Sequence, residues 1–416
     1  MNLGFSMARV AWRNLWRNRR RTLITLAAIG FGMFLAILMT ATQDQGFADM
    51  IDKAARMGGG HVTIQHPEYL DTPSLTRTVE HADAVIALAE QDPLVTKAVP
   101  RISGQAMVST ARSSYGAFFM AYDPALEDET SLSVLDGKVD GEALTPESGN
   151  GIVIGKKLAS NLGVGLGDKV VYTLIDKQGE IVGALGRVRG IISTGAPSLD
   201  GALMLVPIGH LRTQLGYGSD EATQVALFLD DSRKSAVVAD RLGPDVAAHG
   251  DAVTWYEVSP ELSGFIAMKV GGARFMELVV LILVAASIFN TLFMSVIERS
   301  REFGIQLAIG YSPGQIYAMV MWESFWLALV GVILGGAFSY GPYTWLAANG
   351  IDVSAQLGDG DLEVAGVGFD PTLPVGIFPE NVVIIVAAIV VATMASGIYP
   401  AWRASRIQPV EAIKLV

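Results

Sequence analysis

Four apolar runs constrain this chain more than any other feature: 22–42, 275–297, 317–341 and 382–401. Each is close to the ~20 residues that the hydrocarbon core of a bilayer asks of a helix. Lipid leaves backbone polar groups no partner but their own chain, so such runs read as transmembrane helices. The first run lies near the start and the other three are crowded towards the end, with the long polar stretch 46–270 between them. The expected fold is therefore a membrane α-helical protein of four transmembrane helices. A large α+β extracytoplasmic domain is expected between helices 1 and 2. At 416 residues and 51% hydrophobic the chain suits that architecture. A net charge of −11 argues against a nucleic-acid surface, which needs clustered cations. The chain has no cysteine, which excludes disulfides, Cys-ligated zinc and thiol catalysis.

In chain order, residues 1–21 read as a cytoplasmic amphipathic helix. Phe5, Ala8, Trp12, Leu15 and Trp16 recur at helical spacing, and Arg9, Arg13 and Arg17 recur every four residues on another face. Trp suits the membrane interface, and Arg can lay its stem on lipid while its charge stays wet. Arg19, Arg20 and Arg21 bring the segment to six basic residues and no acid. The first span is 22–45. Its apolar core is longer than that of a cleaved signal peptide and no Ala-x-Ala site follows, so no cleavage is expected. The outer domain is 46–270, the second span 271–297, a cytoplasmic coupling segment 298–316, the third span 317–341, an acidic extracytoplasmic loop 342–381, the fourth span 382–402 and a cytoplasmic tail 403–416. Basic residues near span ends set orientation. The N-terminal arm has six and the tail has Arg403, Arg406 and Lys414. The loop 342–381 has none, only Asp352, Asp359, Asp361, Glu363, Asp370 and Glu380. Both termini are thus expected in the cytoplasm.

Within 46–270 the alternation at 61–66 predicts a strand and the stripe Val79, Ala82, Val85, Ile86 and Ala89 a helix. Gly151–Gly155 reads as a buried strand leading into a helix, Lys169–Leu174 as a strand, and Ala202–Val206, Pro207–Leu215 and Gln224–Leu229 as strand, helix and strand. A helix is expected over Arg233–Leu242. Two lobes are expected, the middle one at about 112–220.

The segment from Ile297 to Gly310 carries alternating charges, Glu298, Arg299, Arg301 and Glu302, then Phe303, Gly304 and a helical face of Ile305, Ala308 and Ile309. Charge runs of this kind are most often solvated turns. Together with 11–23 (Ala-Trp-Arg-Asn-Leu-Trp-Arg-Asn-Arg-Arg-Arg-Thr-Leu) and 399–413 (Tyr-Pro-Ala-Trp-Arg-Ala-Ser-Arg-Ile-Gln-Pro-Val-Glu-Ala-Ile), however, this segment resembles the FtsX-like permease family, the MacB-type and LolC/LolE-type ABC transporter permeases. Gly155–Ala159 and Gly167–Val170 are similar to the family's outer domain. The resemblance implies that Glu298, Arg299, Arg301, Glu302, Phe303, Gly304, Ile305, Ala308 and Gly310 form the coupling helix that meets a separate cytoplasmic ATPase. It implies two ATPase copies, a second permease copy or paralogue, and work by mechanotransmission, in which ATP-driven motion is relayed along the long helices. It places the chain in the bacterial inner membrane with its large domain periplasmic.

Other signals carry less. Asn150–Lys157 imitates a phosphate-binding loop but lacks its first Gly and the Ser/Thr after Lys, and reads as a strand plus helix start. No cofactor is expected on this chain, ATP and Mg belonging to the partner. His61, His66 and His81 lack metal-ligand spacing. Residues 359–363 lack calcium-loop spacing, and no hydrolase motif is present, so the chain is not expected to be an enzyme. Asn290 and Glu323 lie inside spans, where polar groups face a bundle interior, either as hydrogen-bonded glue between helices or as a contact that transmits the stroke. The resemblance to lipoprotein-releasing members makes Met33, Phe34, Ile37 and Met39 a candidate lipid or substrate wall, against a reading as lipid-facing filler. The expected function is release of lipoproteins, with a periplasmic carrier among the partners. With no ATPase sequence on the chain, the LolC/LolE-like arrangement is expected over the MacB one. Export of a peptide, toxin or antibiotic through an adaptor and outer-membrane channel, and FtsX-like control of cell-wall hydrolases, are the alternatives.

Overall fold

The computed structural model describes residues 3–353, 362–364, 367–369 and 372–408. The candidate calcium-loop residues Asp359 and Asp361, and the tail beyond 408, lie outside the described residues. The chain forms two compact units. One comprises 1–46, 267–351 and 373–416, the other 47–266 and 352–372.

The first unit is helical. Numbered along the chain, its helices are α1 (Leu3–Leu15), α2 (Arg19–Met57), α7 (Pro260–Glu298), α8 (Ser300–Ala308), α9 (Pro313–Asn349) and α10 (Pro379–Ser405), of which residues 47–57 of α2 and 260–266 of α7 belong to the second unit. Of these, α2, α7, α9 and α10 are long and apolar enough to cross a membrane. The amphipathic helix expected through residue 21 is shorter, because α1 closes at Leu15 and Arg19–Arg21 open α2 instead. The Thr22 hydroxyl donates to the Leu15 carbonyl at 2.5 Å, satisfying one of the acceptors that a helix end leaves free. The loop expected from 342 begins late as well, since α9 stays helical through Asn349.

The bundle is held by a stripe on α2, Leu26, Ile29, Met33 and Ile37, packed against Ile288, Leu292, Leu327, Ile385 and Ile389. The spacing of three and four is that of one helix face. Where α2 meets α9 the two backbones touch. A Cβ added at Gly335 would lie 3.1 Å from Gly30 Cα, and one at Gly331 would lie 2.7 Å from the Ile29 side chain. Small residues permit this close approach, from which dispersion contacts gain. At the far end of the α2 apolar run, Asp44 accepts from the Phe378 amide (3.0 Å) and from Asn381 Nδ2 (2.9 Å). It thereby caps α10, whose first position is Pro379.

The second unit is a mixed sheet with helices. Its strands are β1 (Val62–Gln65), β2 (Val95–Ser109), β3 (Ser114–Tyr122), β4 (Lys138–Gly141), β5 (Gly151–Gly155), β6 (Lys169–Ile175), β7 (Ile181–Ser193), β8 (Leu203–Pro207), β9 (Gln224–Leu229) and β10 (Asp251–Thr254). They lie in the order β10-β1-β9-β2-β3-β8-β5-β7-β4, with β6 pairing β2 and β7. Helices α3 (Ala82–Ala89), α4 (Lys156–Leu162), α5 (Ile208–Leu215) and α6 (Ser235–Val246) bury Val85, Leu158, Leu211 and Val238 in its main core. Residues 151–162 form β5 and α4, a strand running into a helix. Strand β2 joins the two halves of the sheet, pairing β9 through residues 95–101 and β3 through 102–109.

Arg101 on β2 is wholly buried and ion-paired with Glu127. Its Nη1 donates to the Arg56 carbonyl at 3.1 Å and also to the Gly58 carbonyl, where α2 ends. A guanidinium suits this place, because its fixed fork of donors meets a carboxylate and helix-end carbonyls together. His61 is buried beside it. Its Nδ1 accepts from the Leu229 amide at 3.1 Å while Nε2 faces Asp52 at 3.6 Å.

Candidate docking site and its bracing

Helix α8 is a short helix between two long ones. Gly310, at φ 106°, takes the left-handed conformation that ends it, and its amide donates to the Leu307 carbonyl. Ser312 then caps α9, accepting from the Gln315 amide, with Pro313 in the first turn. The sequence face Ile305, Ala308 and Ile309 is turned outward with Arg301 and Gly310, and Ile309 is 72% exposed. Phe303 and Gly304 point the other way. Phe303 is fully buried in a cluster with Val296, Ile316, Met319, Val320, Ala401 and Ala404.

The charges divide in the same way. Glu298 and Arg301 are exposed, but Arg299 is buried at 8% exposure and does not face out. Its Nη1 donates to both Glu323 oxygens, at 2.8 and 2.9 Å, and its guanidinium lies 5.0 Å from the centre of the Phe303 ring. Asn14 Nδ2 donates to Glu323 Oε1 at 3.0 Å, which brings α1 into the same network. Arg17 pairs with Glu302 at 2.8 Å and Arg21 with Glu298. Burial works against the charged form of Glu302, but the hydrogen bond from Arg17 and the charges of Arg17 and Arg299 prevail and hold it below the usual carboxylate range. Trp326 on α9 donates to the Ala8 carbonyl at 3.0 Å, and Trp12 meets Trp326 edge-on at 5.1 Å. Helix α8 is therefore braced by Arg17 in the turn between α1 and α2 and by the side chains of α7, α9 and α10 around Phe303, while one apolar ridge of it stays free.

Glu323 was expected to be polar inside a bundle, and it is. Its partners Arg299 and Asn14 were missed. The available signal was that a lone acid in a span asks for a cation, and Arg299 immediately follows the preceding apolar run. Asn290 is a correction, since it lies on the exposed side of α7. The packed face of α7 runs Leu281, Val284, Ile288, Leu292 and Val296, and Asn290 falls two residues off that stripe.

The four candidate wall residues do not share a face. Met33 and Ile37 are buried in the bundle, whereas Phe34 is half-buried against Phe338, 5.4 Å between ring centres, and Met39 is half-buried too. Met33 instead borders an apolar recess of about 230 Å³ between α2, α7 and α10, which Gly32, Ala36, Leu281 and Ile385 also line, with Arg274 and Glu277. Of the histidines, His61 faces Asp52, His66 accepts from the Glu68 amide and His81 faces Asp220. Among the described residues no cluster of His, Asp and Glu could hold a metal ion.

Two family models match. The FtsX-like permease C-terminal model covers residues 274–409, and the MacB-like periplasmic core domain model covers 22–244, more than half of the chain. The chain belongs to this family of permeases: it is a multi-pass membrane protein, an ABC transporter permease of the LolC/LolE/MacB type. Among its relatives is the lipoprotein-releasing system transmembrane protein LolC of Xylella fastidiosa (strain 9a5c), 28% identical over 79% of this chain and 80% of that one. LolE of Haemophilus influenzae is 22% identical over 97% of this chain and 98% of its own. The pyoverdine export ATP-binding/permease protein PvdT of Pseudomonas entomophila is 26% identical over 97% of this chain, which spans 58% of that protein's length.

Proposed function

We propose that this chain is the membrane subunit of a mechanotransmission ABC transporter that releases lipoproteins from the bacterial inner membrane, powered by a separate ATPase. The observation that carries the coupling is the ridge Ile305, Ala308 and Ile309, left free on a helix whose other faces are fixed by Phe303, Arg299–Glu323 and Arg17–Glu302. A push on a fixed helix is passed on, whereas a push on a loose loop is absorbed. In this reading the ridge and both termini are cytoplasmic, and the domain 46–270 is periplasmic. Helix α2, 39 residues and roughly 58 Å at helical rise, is the rod that carries the stroke. The likeness to LolC and LolE supports lipoprotein as cargo. The recess beside Met33 is then the place for acyl chain, since thioether and aliphatic groups adapt to it.

The test is co-purification of the tagged chain from gently solubilised membranes, read by mass spectrometry. Ile305→Glu with Ile309→Glu is expected to abolish ATPase recovery while membrane insertion stays normal. Unchanged ATPase recovery would sink the docking assignment. Acylated lipoproteins in the wild-type sample support the cargo. The likeness to PvdT over nearly the whole chain supports a second reading, export through an adaptor and channel. Recovery of those partners in place of lipoproteins would select it, and a cell-wall hydrolase would select the FtsX-like regulator.

A further inference from the structure

The six arginines of the N-terminal arm fall into two sets. Arg17 and Arg21 are engaged by Glu302 and Glu298. Arg9, Arg13, Arg19 and Arg20 are all exposed, and among the described residues none of their side chains has a hydrogen-bond or ion-pair partner. The first acid in the chain is Asp44, beyond the first apolar run, so nothing in the arm itself offsets them. Arg13 also lines a shallow cleft of about 630 Å³ with Val10, Trp12, Asn14, Trp16 and the paired Arg17. Here α1 lies against the start of α9, fixed by the Trp326 bond to Ala8 and the Asn14 bond to Glu323, beside the first turns of the membrane-crossing α2.

From this arrangement we infer that α1 and the first turn of α2 form a binding surface for the headgroups of anionic phospholipid. The charge is complementary, and the position is continuous with the apolar helices that sit in the same bilayer. Guanidinium groups bind phosphate through paired N–H donors, with geometry that an ammonium does not offer. Trp12 and Trp16 supply the amphipathic rings that favour the level of the headgroups. The division is by pairing: Arg17 and Arg21 are taken up by Glu302 and Glu298, and the unpaired Arg9, Arg13, Arg19 and Arg20 take lipid. Lipid held by the unpaired arginines would therefore steady α1 in its place while Arg17 and Arg21 keep Glu302 and Glu298. The inference deepens the membrane role proposed above but needs no ATPase.

The test titrates the full-length chain in neutral detergent with phosphatidylglycerol or phosphatidylcholine of identical acyl chains, counting bound lipid by native mass spectrometry. Wild type is expected to prefer phosphatidylglycerol. Arg9→Gln with Arg13→Gln is expected to weaken that lipid by about tenfold or more, since each cation at a membrane surface is worth about fivefold at moderate salt. Phosphatidylcholine binding should not change. Arg9→Lys with Arg13→Lys should keep most of the preference, and Arg112→Gln with Arg187→Gln, exposed positions in the second unit, should keep all of it. Equal affinity for the two lipids, or an unchanged preference in the Gln variant, overturns the inference. Because Arg9 and Arg13 brace nothing, the Gln variant should still recover its ATPase, so failure here is separable from failure of the docking assignment.

Discussion

At the scale of single residues, the Arg299–Glu323 pair has most at stake. Both partners are nearly out of contact with solvent. Removing Arg299 leaves Glu323 buried without a cation, a loss of about 3–5 kcal/mol, whereas removing Glu323 leaves Arg299 its longer contact with Glu302 at 3.4 Å. Arg299→Ala is therefore expected to lower the thermal midpoint sharply in detergent, and Glu323→Ala less so. Arg299→Met with Glu323→Met, which removes both charges, should restore much of it. If the double variant is as unstable as the single one, the pair does more than neutralise itself. His61 makes a second, pH-dependent case. Burial lowers its pKa, against the pull of Asp52, and the buried ring accepts from Leu229. Its folded pKa lies below the unfolded one, so the unfolded chain binds the proton more readily. The stability it contributes is complete above the unfolded value of about 6.5 and is lost as pH falls through the folded value. Thermal midpoints recorded from pH 7.5 down to 5 should decline for the wild type and decline less for His61→Gln.

At the scale of elements, the crossing of α2 and α9 brings two glycine backbones together at Gly30 and Gly335. Gly335→Leu is expected to force Gly30 and Met33 apart and to cost about 1–3 kcal/mol or more. Gly336→Ala on the same helix meets only the far end of the Met33 side chain, at 3.8 Å, and should be neutral or slightly stabilising. Comparing the two midpoints separates packing from helix propensity. The elements also show what sequence reading reaches. Helix α8 was legible because its charges and its apolar face are local. Its bracing was not, because Asn14 and Glu323 are 309 positions apart and Arg17 and Glu302 are 285 apart. Strand β2 was missed because Pro100 and Gly104 punctuate it, although Pro100 lies within the paired register opposite Val225. The order of strands, with β9 beside β1 and β2, joins segments that no local pattern links.

At the scale of the whole molecule, apolar runs and composition sufficed for the fold class, because lipid admits so few solutions. Charge acts at this scale too. The chain carries a net −11, and several of its acids are held ionised by neighbours. Hydrogen bonds from Thr130 and Lys97 hold Asp128 at about 2, and Arg233 holds Asp231 low. Against burial, hydrogen bonds from Lys177 and Thr78 do the same for Glu221. With folded pKa values below unfolded ones, these groups stabilise above the ordinary carboxylate range, and the contribution fades as pH falls from about 4 towards 2. Acid titration followed by circular dichroism should show a cooperative loss in that window, and Asp128→Asn should shift its midpoint upward. An unchanged midpoint would mean that the Asp128 pairing adds nothing to the whole.

The aromatic packing around α1 has an optical consequence. Of seven tryptophans, Trp12 lies on α1, Trp16 in the turn after it, and Trp322, Trp326 and Trp402 on the parts of α9 and α10 nearest α8, leaving only Trp255 and Trp345 elsewhere. The intrinsic emission of the unlabelled protein is thus weighted towards one end of it. A stopped-flow trace excited at the indole band would follow events at the docking helix in real time, with no dye attached.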